Sequence, residues 1–292
     1  MAPPDVNVPG EHLWNFTRLK RELSGHDKLL LALWAPFGCA LCLVRLVCWP
    51  LGMIGYPIAY WLGVGQGYMM IIQLLWSVRV TIHGLENLDN SSAVLVMANH
   101  VSDFDACAIW AANSPADQVL VVNEHWRWVI QVAQRLGWPV NPIYTTGSDT
   151  KEVLAQEVKR LSAAPGRPKR ILIFPEGRTS SGLTVMPFFD FTFSLGQPVV
   201  PCAVKLRNPW PVQMQMNGTS VLCNAAALYF LPYVDYELTF FPEQSGEGKS
   251  KEDYAESVRK ILLQHLGVPS TKLTAKDKVA FGKARAERAK AQ

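Results

Sequence analysis

His100 and Asp105 lie within one short stretch, Asn99-His100-Val101-Ser102-Asp103-Phe104-Asp105. Histidine takes up and returns a proton near neutral pH. A carboxylate on one ring nitrogen fixes its tautomer and raises its basicity, which leaves the other nitrogen free to act as a base. Such a pair suits the activation of a hydroxyl. A histidine merely bonded to a helix-capping aspartate, with no chemistry, fits the same residues. A second stretch, Phe174-Pro175-Glu176-Gly177-Arg178-Thr179-Ser180, adds different chemistry. Arg178 offers a planar fork of donors suited to phosphate, and Glu176 can orient that fork or bond a substrate hydroxyl.

Both stretches follow short apolar runs that read as buried strands. Ala93-Val94-Leu95-Val96-Met97-Ala98 precedes the first, and Ser102 or Asp103 then offers a helix N-cap. His100 is therefore expected at the carboxyl end of a strand and Asp105 in the first turn of a helix, close enough to reach back. Ile171-Leu172-Ile173 precedes the second stretch, where Pro175 and Gly177 force a tight loop. Strand ends of this kind are where α/β sheets bind ligands. Further along, residues 79–84 and 236–241 alternate as strands and 118–122 reads as another. Residues 151–162 and 251–266 show helical spacing, with a basic, alanine-rich helix after Ser270. The aromatic run around Asp190, residues 186–194, fits either the lining of an apolar groove, the reading slightly favoured, or plain core.

The chain has 292 residues, 49% of them hydrophobic, with ten tryptophans and a net charge of +4. That balance fits an anionic lipid surface or anionic substrate. No clustered basic reading motif is present, which argues against nucleic acid as a partner. Six cysteines sit mostly inside apolar runs without a disulfide or zinc spacing, so they read as buried thiols in a reducing compartment. Residues 1–28 form a polar arm with cations at Arg18, Lys20, Arg21 and Lys28. From residue 29 to 78 the only charge is Arg45. One crossing, two crossings and a re-entrant hairpin compete for this run. Its prolines and glycines, densest around Pro50 to Pro57, favour a membrane hairpin over 29–67 that enters and returns. Arg45 is expected to snorkel to a headgroup.

The paired motifs Asn-His-x-Ser-x-x-Asp and Phe-Pro-Glu-Gly, with a later Val199-Val200-Pro201-Cys202-Ala203-Val204, resemble the glycerolipid (HX4D) acyltransferase family over roughly residues 79–242. The resemblance implies an α/β fold with a central mixed sheet flanked by helices, occupying residues 68–248, and a C-terminal helical extension over 249–292. It implies His100 and Asp105 as catalytic residues and Asn99, Ser102, Glu176, Gly177, Arg178 and Thr179 as substrate-binding residues. It implies acyl-CoA as donor, a lysophospholipid or glycerol-phosphate lipid as acceptor, and neither cofactor nor metal. Backbone donors in the turn after His100 are candidates for an oxyanion hole. Two departures leave the acceptor open: residues 137–143 lack the arginine usual there, and Arg178 precedes Thr179 instead of following it. Within the family, the hairpin, the first motif and the tail from Thr271 to Lys278 resemble the ancient ubiquitous protein 1 group. That implies the endoplasmic reticulum membrane and lipid-droplet surface, with the catalytic part cytosolic. Members usually continue into ubiquitin-binding segments. Gln292 falls before either would fit, so ubiquitin-system partners are not expected.

Overall fold

The structure, a computed structural model, describes residues 13–15, 18–19, 22–145, 150–166 and 169–290. Most of the 1–28 arm, including Lys20 and Arg21, lies outside these residues. In chain order the elements are α1 (Gly25–Trp61), α2 (Gly65–Leu75), β1 (Val78–His83), α3 (Leu85–Asp89), β2 (Leu95–Ala98) and α4 (Asp105–Ile109). Then come β3 (Gln118–Asn123), α5 (Arg127–Arg135), β4 (Asn141–Thr145), α6 (Thr150–Ser162) and β5 (Arg170–Ile173). The chain continues through β6 (Val199–Arg207), α7 (Val221–Phe230), β7 (Val234–Phe240), α8 (Lys251–Leu266) and α9 (Ala275–Lys290).

The strands form a seven-stranded mixed sheet in the order β1-β7-β6-β2-β5-β3-β4. β6 and β7 run antiparallel, and the other pairs are parallel. β2 and β5 read as unbroken apolar runs because both of their faces are covered. Val96, Ala98 and Leu172 point into a core shared with α1, α2, α4, α5 and α7. Leu95, Met97, Ile171 and Ile173 point into a second core beneath α6 and α8. The central mixed sheet flanked by helices is thus as the sequence predicts.

The apolar N-terminus departs from expectation. Instead of turning over residues 50–57, α1 runs unbroken for 37 residues through Pro36, Pro50 and Pro57. A proline inside a helix strips the hydrogen bond from the carbonyl four residues earlier. For Pro57 that carbonyl is Met53 O, and the indole Nε1 of Trp138 donates to it at 2.6 Å. The turn instead falls at residues 62–64, where Gly63 takes φ +76 and the chain folds back into α2. Tyr68 of α2 lies against the bare Cα of Gly55 on α1, so the two arms pack closely. Arg45 does not snorkel. Its guanidinium donates to the carbonyls of Tyr229 (3.0 Å), Leu231 (2.5 Å) and Pro232 (3.1 Å), closing the C-terminal end of α7. Trp34, Gly38 and Cys42 continue this seam on one face of α1, with Trp34 Nε1 donating to Phe230 O at 3.0 Å. The arm is also less free than its polarity implies. Leu13 and Trp14 are buried against Met186 and near Phe281, and Arg18 donates to Gln213 O, Met214 O and Asn224 Oδ1.

Outside these contacts α1 and α2 leave a broad apolar surface exposed, including Leu33, Phe37, Leu43, Val47, Leu51 and Ile58. Trp128, Val132 and Leu136, spaced one helical turn apart, extend it along α5. The cysteines are free, but Cys39 and Cys223 are exposed where buried thiols were expected, because their helix faces turn away from the sheet.

Candidate active site

β2 and β5 are parallel neighbours, so the loops leaving their carboxyl ends meet although they are far apart in sequence. His100 leaves β2 and Asp105 opens α4, as their spacing predicts. His100 Nδ1 lies 2.9 Å from Asp105 Oδ2, and the carboxylate is fully buried. The same oxygen accepts the backbone N–H of Val101 at 2.7 Å and of Ser102 at 2.9 Å. Asp105 therefore fixes both the imidazole and the turn that carries it. The His100 ring stacks on Phe174 of the second loop at 4.2 Å between centroids and 18° between planes. Nε2 has no protein partner among the described residues, and the side chain stays partly exposed. The free nitrogen is the one a hydroxyl would approach.

The second loop also holds the backbone of His100. Glu176 Oε1 accepts His100 N–H at 2.7 Å, Oε2 accepts Met186 N–H at 2.8 Å, and His100 O accepts Ser180 N–H at 2.7 Å. Glu176 is 1% exposed, and both of its oxygens are taken by backbone N–H groups, with no bond to Arg178 among the described residues. It is a positioning residue. Burial pushes its carboxyl up to about 8, against the pull of its two N–H donors. Asn99 is likewise occupied by backbone partners. Its amide donates to Val204 O at 2.9 Å and accepts Val204 N–H at 2.7 Å, pinning β2 to β6. Ser102 is buried and its hydroxyl accepts Phe104 N–H, so it braces the turn. The Asn99 role depends on a partner that local reading does not supply.

The turn after His100 offers no oxyanion donors. The N–H groups of Val101 and Ser102 go to Asp105, that of Asp103 to Gln215 Oε1 and that of Phe104 to Ser102 Oγ. Gly177 is exposed with φ +69, and a Cβ there would strike the Phe189 ring. A glycine is needed on both counts. Arg178 is exposed, and its guanidinium has no partner among the described residues. Thr179 is buried and receives Lys278 of α9, through Nζ to Thr179 O at 2.5 Å and to Oγ1 at 3.0 Å. Sequence reading missed Lys278, and also Tyr236 of β7, whose buried hydroxyl is pushed well above its usual range by burial and then by the Asp105 charge. In the aromatic run expected to line a groove, Met186 and Phe193 are core residues, and Phe189 is exposed over Gly177.

A doubly covered mixed sheet with a His–Asp pair at a central strand end, its carboxylate buried and its imidazole partly exposed, defines an α/β protein whose site geometry suits general-base chemistry. Comparison with known proteins narrows this. Residues 79–205 match the family described as Acyltransferase. The chain is 26% identical over 277 residues to the lipid droplet-regulating VLDL assembly factor AUP1 of Danio rerio, covering 92% of this chain and 61% of that protein. It is 25% identical over 260 residues to lysophosphatidylcholine acyltransferase 1 of Homo sapiens, covering 80% and 47% respectively. The chain thus spans about half to three fifths of these relatives. The crystal structure of the 1-acyl-sn-glycerophosphate acyltransferase PlsC from Thermotoga maritima shares the fold, with a TM-score of 0.56 and 15% identity over 78% of this chain and 94% of that one. Over residues 79–205 the chain is thus similar to acyltransferases, and it shares the fold of a glycerolipid acyltransferase.

Proposed function

We propose that the chain is a membrane-associated O-acyltransferase that moves a fatty acyl group from acyl-CoA to a hydroxyl of a lysophospholipid or glycerol-phosphate lipid. The observation that carries this reading is the His100 Nδ1 to Asp105 Oδ2 contact of 2.9 Å beside the loop bearing Arg178. His100 Nε2 takes the proton of the acceptor hydroxyl as its oxygen attacks the thioester carbonyl. The C–O ester bond forms, the C–S bond breaks, and the imidazolium returns its proton to the departing thiolate of CoA. Asp105 holds the tautomer and stabilises the imidazolium. Acyl-CoA enters as a substrate, and the step uses neither cofactor nor metal.

The apolar surface of α1, α2 and α5 supports placement on a lipid surface, at the endoplasmic reticulum and lipid droplets, with the sheet in the cytosol. α1 spans about 55 Å at 1.5 Å per residue, well beyond a hydrocarbon core of about 30 Å. It is held to α7 by Trp34 and Arg45 and to Trp138 by Met53, which favours lying in one leaflet. A second reading, a non-enzymatic lipid-droplet surface protein or degradation adaptor that keeps the fold, is favoured by the similarity to AUP1. The deciding experiment gives the purified protein labelled acyl-CoA and a panel of lysolipids. Labelled diacyl product that disappears in His100→Ala supports the transferase. Product formation below background for every acceptor supports the adaptor.

A further inference from the structure

Two segments outside residues 79–205 close over the second loop. Ser181 N–H donates to Leu13 O at 2.8 Å, and Trp14 meets Phe281 of α9 at 5.9 Å between ring centroids. Thr274 and Asp277 cap the start of α9, with Thr274 N–H donating to Asp277 Oδ2 at 2.7 Å, so the position of Lys278 one residue later is fixed. An ammonium has three donors. Two go to the two oxygens of Thr179, and the third has no partner among the described residues. Lys278 forms no ion pair among those residues, and its neighbour in charge is another cation, Arg178. Burial, then Arg178, pulls its pKa down to about 7, while Asp103 and Glu176 act weakly the other way. Two neighbouring cations, Lys278 partly covered and Arg178 exposed, that repel each other and form no ion pair among the described residues are stabilised by a multivalent anion.

We propose that Lys278 is a substrate-binding residue that, with Arg178, seats a phosphate group, carried either by the acceptor lipid or by CoA. The proposal rests on the transferase reading for the identity of its ligands. Phosphate binding itself needs no turnover. The α9 helix thus completes a site whose other residues lie within the family domain.

The test measures binding to the full chain in neutral detergent micelles, using lysophosphatidic acid, the monoacylglycerol of the same chain length, and CoA. Lys278→Ala should weaken one of the two phosphate ligands about tenfold, the loss of roughly one charge-assisted hydrogen bond. Monoacylglycerol should bind unchanged. Lys278→Arg should recover most of the loss. Weakening of lysophosphatidic acid alone assigns the seat to the acceptor, and weakening of CoA alone assigns it to the donor. Equal losses on all three ligands would reduce Lys278 to a structural latch, and no loss on any would remove it from the site; either overturns the proposal. If phosphate binding depends on Lys278 while no acyl transfer is found, the seat stands and the transferase reading fails.

Discussion

At the scale of single residues the site is a base held from several sides. His100→Ala should abolish acyl transfer with the fold intact, measured as labelled product against an unchanged melting curve. Asp105→Asn should lower turnover by about 10² to 10⁴, the usual contribution of general-base assistance. It should also lower the melting temperature, since Asp105 braces Val101 and Ser102 as well as the imidazole. Glu176 gives a prediction in pH. Its folded pKa lies near 8, above its ordinary 4.5. Between those values the unfolded chain releases a proton that the folded chain keeps, so this group's contribution to stability falls as pH rises across that window and levels off above it. Glu176→Gln should flatten that dependence in melting scans from pH 5 to 9. The base and its carboxylate were legible because they are local, five residues apart along one strand-to-helix turn. The bracing contacts of Asn99 and Glu176 were not legible, because Val204 lies 105 residues from Asn99 and His100 lies 76 residues from Glu176.

Among the elements, α1 is organised by what it packs against more than by its helix breakers. Proline density predicts a turn at residues 50–57, but a proline costs most when its freed carbonyl stays unpaired, and Trp138 supplies a donor for Met53. Such a partner, 85 residues away, cannot be read from local composition. The same holds for Arg45, whose charge seemed a burden within an apolar run and instead closes the end of α7. Arg45→Met should therefore destabilise the fold by about 1–3 kcal/mol, the cost of carbonyls left unpaired. Thermal unfolding by circular dichroism measures it; a variant as stable as wild type would show that water replaces the guanidinium. Strands read more reliably than the hairpin did, because the alternation and apolar runs of β1, β2, β5 and β7 report burial directly.

For the whole molecule, α1, α2 and α5 each carry exposed apolar residues. Changing Trp128, Val132 and Leu136 together to serine should reduce flotation with phospholipid vesicles while leaving the melting temperature nearly unchanged, since all three are exposed. Glycosylation acceptors placed before residue 1 or after Gln292 should stay unmodified, as should one near Gly52; modification near Gly52 would show the helix reaching the lumen. The sheet order carries one more consequence. β1 joins the sheet only through β7, and its Arg79 meets Asp235 from 156 residues away. At about 5–20 residues per second of synthesis, β1 waits roughly 8–30 s for its neighbour. The apolar helices just before it leave the ribosome earlier, while that strand edge is still unpaired. On the membrane-associated reading proposed above, order of synthesis would make the bilayer the first folding partner of the nascent chain, and the sheet would close on a protein already adsorbed to lipid.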